Sequence, residues 1–186
     1  MDLATIILIA TGLSFGIFEI SHSTGKTLSG IRFWQAVKVA TVIVVLHIPI
    51  LLAGWASGEK LDGLVHRYEH WIALAILILL GIKMIIESWR KRAGKYQNLN
   101  SLTVTLLLGM ALAALFDALI IGISFAFLNI KMALPLLMIT IIIFFVSMAG
   151  IFRGKTAKHI LIYKMKIPGG LVLIAAGIIL FLNQNW

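Results

Sequence analysis

Long apolar runs alternate with short polar connections along the whole chain, at about 3–22, 33–56, 71–89, 102–127, 132–152 and 167–183. Each run is near the length of about 20 residues that takes a helix across a hydrocarbon core. The pattern therefore predicts six transmembrane helices. Pro168 suits the opening turn of the sixth, and Gly58, Asp62 and Gly63 are expected to break the chain after the second. The first run has Asp2 where a signal sequence carries basic residues, and no small-residue cleavage pattern follows it. It is expected to be a retained helix.

Composition agrees: 61% of the 186 residues are hydrophobic and 12% charged, with a mean hydropathy of +1.05. These values lie far outside the globular range and make the lipid bilayer the chain's solvent. The absence of cysteine excludes disulfides and thiolate metal sites, so any metal must be held by oxygen or nitrogen. A formal charge of +9 does not point to nucleic acid, because the basic residues fall in the short connections. Thirteen of the sixteen Lys and Arg residues lie in or beside the first, third and fifth connections, from Lys26 and Arg32 to Lys164 and Lys166. The positive-inside rule then makes these connections cytoplasmic and puts both termini outside. Lys83 and Glu87, four apart on one helix face, read as a charge pair snorkelling at the cytoplasmic interface. Nothing in the pattern signals an oligomeric state.

The chain also looks doubled. Residues Gly12 to Phe18 fall against Ala113 to Leu119, and Leu79-Leu80-Gly81-Ile82 falls against Ala175-Ala176-Gly177-Ile178. The halves, 1–95 and 96–186, hold three spans each. Three is odd, so such halves sit in opposite orientations, the inverted-repeat plan of secondary transporters with a site near the midplane.

Asp117 stands near the middle of the fourth apolar run. A carboxylate at that depth costs about 2.5–3.5 kcal/mol on insertion scales, and such groups mark ion pathways. Glu19 and His22, three apart, share a face of the first helix. His47 lies inside the second, two residues before Pro49, whose missing amide hydrogen leaves a carbonyl open toward a cavity. Asp117, Glu19, His47 and His22 together form a candidate ligand set for a first-row divalent ion. Ser14, Ser21, Ser124, Thr140 and Ser147 are expected to pack or to bond back to helix carbonyls. Met110, Met138 and Met148 read as packing, not as soft copper ligands. His66 and His70, with Glu69, read as a solvated loop end before the third helix more readily than as a metal-collecting patch. Gly12-Leu13-Ser14-Phe15-Gly16 matches the Gly-x-Ser-x-Gly elbow of serine hydrolases, but it lies within an apolar helix. There Gly12 and Gly16 serve better as a face for close helix approach.

The segments His70-Trp71-Ile72-Ala73, Leu80 to Glu87, Asp117-Ala118 with Ala126-Phe127-Leu128, and Gly169 to Ile174 carry a resemblance over nearly the whole chain. They resemble the MntP-type manganese efflux pumps, six-span bacterial inner-membrane proteins related to the lysine-exporter superfamily. The resemblance implies an all-α integral membrane protein of two inverted three-helix repeats that exports Mn2+, with no enzymatic activity and no resident cofactor. It also implies functional aspartates on the first and fourth helices and a glutamate on the second. Asp117 matches the fourth-helix aspartate, whereas Gly16 and His47 stand at the other two positions. Imidazole in place of carboxylate is expected to move the preference toward Fe2+, Co2+, Ni2+ or Zn2+, with protons as the expected counter-ion. Two other classes fit the composition: a non-transporting membrane sensor or scaffold derived from such a pump, and an intramembrane hydrolase using Ser14.

Overall fold

A computed structural model describes residues 3–27, 32–65, 69–93, 104–128, 130–154 and 166–184. They form six helices and, among the described residues, no strand: α1 (Leu3–Thr27), α2 (Phe33–Val65), α3 (Glu69–Ala93), α4 (Val104–Phe127), α5 (Ala133–Gly154) and α6 (Lys166–Gln184). The chain is an all-α integral membrane protein. α1, α2, α3 and α5 each carry a full apolar span, and α4 and α6 carry shorter described apolar stretches, Ala111–Phe127 and Lys166–Leu180. The 19 residues from Trp71 to Trp89 cover about 27 Å of helix axis. Both indoles are exposed, which fits an aromatic belt at the two faces of a hydrocarbon layer about 30 Å thick.

The helices begin where the sequence suggests, but α2 overruns its expected end. Gly58, Asp62 and Gly63 do not break it, and it continues to Val65. A helical glycine costs only about 1 kcal/mol relative to alanine, and Gly58 is used: a β-carbon there would crowd Ala126 and lie 3.1 Å from the Ile123 carbonyl oxygen on α4. Pro168 does stand in the first turn of α6, where its missing N–H breaks no helical bond.

α1 is the most enclosed of the full spans, with 72% of its window buried against about a third in the other three. It packs on α5 and α6, while α2 packs on α4 and α3 on α6. In lipid there is little hydrophobic drive between helices, so association rests on close van der Waals contact through small residues. Glycines supply that contact, and they do so twice over. Gly54 of α2 lies under the Leu119 carbonyl of α4, and Gly58 under that of Ile123; Gly150 of α5 lies under the Phe18 carbonyl of α1, and Gly154 under that of His22. Both glycine pairs are separated by 96 positions and both carbonyl pairs by 101. Across the α3–α6 seam Gly81 approaches Gly170, and Gly177 approaches Leu74, again with 96 positions between corresponding residues.

Gly12 meets Leu173 and Gly169 of α6, as a close-approach face requires, but Gly16 has no atom within 4 Å of where its β-carbon would lie. The expected Gly12/Gly16 face is thus used at one end only.

Candidate metal site and ion-pair ladder

The four residues singled out as ligands are all buried: Glu19, His22, His47 and Asp117 are each 8% exposed or less. They do not converge on one point. Among the described residues, no three His, Asp or Glu side chains stand at the spacing of a bound metal ion.

Asp117 and Glu19 are instead linked through a ladder of opposite charges. Lys83 of α3 donates to Asp117 Oδ1 on α4. The same ammonium nitrogen lies 3.7 Å from Glu87 Oε1, one turn along α3. Lys166, in the first turn of α6, donates to Glu87 Oε2 at 2.7 Å and stands 2.8 Å from Glu19 Oε2 on α1. Four helices are therefore tied by five side chains in the order Asp117, Lys83, Glu87, Lys166, Glu19. Lys83 and Glu87 are more than the interface pair their spacing suggests. Their second partners lie 34 and 79 positions away in sequence.

The need for pairing explains the arrangement. An unpaired ion buried in a bundle costs several kcal/mol, and an opposite charge at hydrogen-bonding distance offsets much of it. Lys166 is the deeper of the two cations, its side chain 9% exposed between two carboxylates, while that of Lys83 is 37% exposed. With all five groups ionised, the described ladder sets three carboxylates against two ammonium groups, a net charge of minus one among these five side chains.

His47 stands elsewhere. Its Nδ1 bonds to the Ile43 carbonyl oxygen at 2.8 Å, which makes Nδ1 the donor and leaves Nε2 as an acceptor. Nε2 is buried with no hydrogen-bond partner, beside a small apolar cavity among α1, α2, α4 and α5, with room for about one water. Leu13, Val44, Ala118, Thr140 and Ile143 help line it, so its wall includes the residue next to Asp117. His22 lies in the α1–α5 seam, where Gly150 and Gly154 press on its backbone and its ring centroid is 6.2 Å from that of Phe18.

Three of the five smaller polar groups bond back to their own helices, whereas the Ser21 and Ser147 hydroxyls are buried without a hydrogen-bond partner among the described residues. Ser14 donates to the Thr11 carbonyl at 2.6 Å, Ser124 to that of Ile120 at 3.0 Å and Thr140 to that of Leu136 at 2.6 Å. Ser14 thus sits in a continuous helix with its hydroxyl turned back on the backbone, without the strand and sharp turn a hydrolase elbow needs. The side chains of His66, Glu69 and His70 lie outside the described residues, as does that of Met110.

The family model described as "Putative manganese efflux pump" matches residues 30–181. A protein of Clostridium botulinum (strain Loch Maree) named as a manganese efflux pump of this kind, MntP, is 34% identical over all of this chain and 96% of its own length. One from Methanosarcina barkeri with the same name is 35% identical over 95% of this chain and 94% of its own. A third, from Methanothermobacter thermautotrophicus, is 32% identical over 99% and 98%. No solved structure matches the chain.

Proposed function

The chain belongs to the manganese efflux pump family, and we propose that it carries Mn2+ out of the cytoplasm across the bacterial inner membrane with Asp117 as the principal ligand. It is a multi-pass membrane transporter for a metal ion, not an enzyme, and the metal is its cargo.

One observation carries the reading: Asp117, Glu87 and Glu19 are gathered around two lysine ammonium groups in the bundle. The three carboxylates do not stand at metal-binding spacing in this arrangement, and they would have to draw together around the ion. They offer oxygen donors alone, the set that suits a hard divalent ion such as Mn2+. Glu87 adds a carboxylate that the sequence reading left out, and it offsets the one missing at Gly16. Cargo entering among them exchanges water for carboxylate oxygen. His47, on the wall of the small apolar cavity that also includes Ala118, is another buried polar side chain near Asp117's stretch of α4. His22 remains a residue of the α1–α5 seam.

Alternating access follows if residues 1–95 and 96–186 are inverted three-helix repeats that rock about this region. The paired glycine contacts, repeated at offsets of 96 and 101 positions, support that plan. Both termini then lie outside, by the distribution of Lys and Arg. Proton counter-transport fits the same site, because carboxylates that release metal take up protons in its place.

A second reading has a specific observation behind it. The unpartnered Nε2 of His47 is an imidazole donor, and its participation would favour Fe2+, Co2+, Ni2+ or Zn2+. Purified protein in liposomes loaded with a metal-sensitive dye decides between them. Mn2+ flux that Asp117→Asn abolishes supports the first reading, and flux confined to the softer metals supports the second. No flux of any divalent ion leaves a non-transporting sensor or scaffold.

A further inference from the structure

Lys83 and Lys166 touch the same Glu87, yet they are placed very differently. Lys166 is enclosed, with a carboxylate oxygen at 2.7 Å and another at 2.8 Å. Lys83 is more than a third exposed; it bonds Asp117 closely, and its distance to Glu87 is 3.7 Å. One cation is locked, and the other, only partly covered, is held mainly by Asp117.

Taking Asp117 as the cargo ligand, we infer that Lys83 is a tethered stand-in for the cargo: its ammonium group neutralises Asp117 in the empty pump, and the entering ion displaces it. Lys166 is the fixed cation that keeps Glu87 and Glu19 together while this happens. Charge balance favours the exchange. The empty ladder carries one net negative charge. If a divalent ion enters and Lys83 withdraws, the three carboxylates face a charge of two from the metal and one from Lys166, and the cluster is neutral. If Lys83 stays, the cluster carries an uncompensated positive charge at a depth where such charge is costly. The long, flexible lysine stem lets the ammonium group turn out to water without moving the helix.

A stand-in of this kind lowers affinity on purpose. The metal must break the Lys83–Asp117 pair to bind, and the returning ammonium group helps expel it. Binding and turnover therefore move in opposite directions when the charge is removed.

The test uses the purified full-length pump with Mn2+ as probe, binding being read from the loss of the free Mn2+ spin-resonance signal and transport from liposome flux. Lys83→Gln is expected to lower the Kd for Mn2+ by about tenfold or more and to slow efflux, while Lys83→Arg restores wild-type affinity. An independent measurement needs no variant: in the wild-type protein, Mn2+ is expected to raise acylation of Lys83 by a water-soluble amine reagent and to leave Lys166 unchanged, as read by mass spectrometry. Unchanged or weaker binding by Lys83→Gln, or Lys83 labelling that does not rise with Mn2+, overturns the inference while metal binding at Asp117 stands. A wild-type protein that binds no Mn2+, with efflux indifferent to Asp117→Asn, overturns the reading of the site and this inference with it.

Discussion

The Lys166 ammonium nitrogen stands 2.8 Å from a carboxylate oxygen of Glu19, and this pair fastens the first turn of α6 to the interior of α1. Replacing Lys166 by Met leaves Glu19, 2% exposed, and Glu87 without their shared cation. Breaking a buried pair from one side costs about 3–5 kcal/mol. We expect Lys166→Met to lower the thermal midpoint in detergent sharply, and Lys166→Arg to recover most of it. Equal midpoints for Met and wild type mean that the pair adds nothing to stability.

The α2–α4 seam makes a second prediction. A β-carbon at Gly122 would overlap the Leu51 carbonyl oxygen and lie 2.9 Å from the Trp55 amide nitrogen, both backbone atoms that cannot turn aside. Gly122→Val is expected to cost at least the roughly 1–3 kcal/mol of an overpacked core. Detergent melts and membrane yield read the loss.

Gly16 is the opposite case, since nothing lies within 4 Å of its missing β-carbon. The resemblance to the efflux pumps puts an aspartate at this position. Gly16→Asp is therefore expected to fold with wild-type yield and to raise Mn2+ flux, because it adds to α1 the carboxylate that the resemblance places there. A variant that folds normally but transports less Mn2+ would show that the open space must stay uncharged.

His47→Glu replaces an imidazole beside the apolar cavity with an oxygen donor. If the cargo passes this point, the ratio of Mn2+ to Zn2+ flux is expected to rise by about tenfold, the effect of some 1.4 kcal/mol in relative binding. An unchanged ratio, measured in the same liposomes, assigns His47 to packing.

Ser14→Ala removes one hydroxyl bond to the Thr11 carbonyl. Such a bond contributes about 0.5–1.5 kcal/mol net, and we expect Mn2+ efflux to be unchanged. Loss of a measurable esterase activity in this variant would revive the hydrolase reading.

The helices were legible in the sequence because an apolar run of membrane length has few other uses. The end of α2 was not, because Gly58, Asp62 and Gly63 look like a break until α4 is placed against Gly58. Asp117 announced itself by its cost in lipid. Glu87 and the two lysines did not, because Lys83 and Glu87 form a sufficient pair four residues apart, and spacing alone cannot show partners 34 and 79 positions away. One signal was present: Glu19, Glu87 and Asp117, with Lys83, all lie within apolar runs, and Lys166 stands at the threshold of another. Charges in such places must find one another across helices.

The ladder has no matching set of charges at offsets of 96 and 101 positions, the offsets at which the glycine contacts recur. Asp117, Glu19, Lys83, Glu87 and Lys166 fall on Gly16, Ile120, Ile179, Asn183 and His70, with no carboxylate among them. If the halves exchange roles between inward-facing and outward-facing states, only one of those states is latched by ionic bonds. The two orientations then differ in free energy, and an empty pump waits mainly in one of them, so that cargo must unfasten the latch before the cycle can turn.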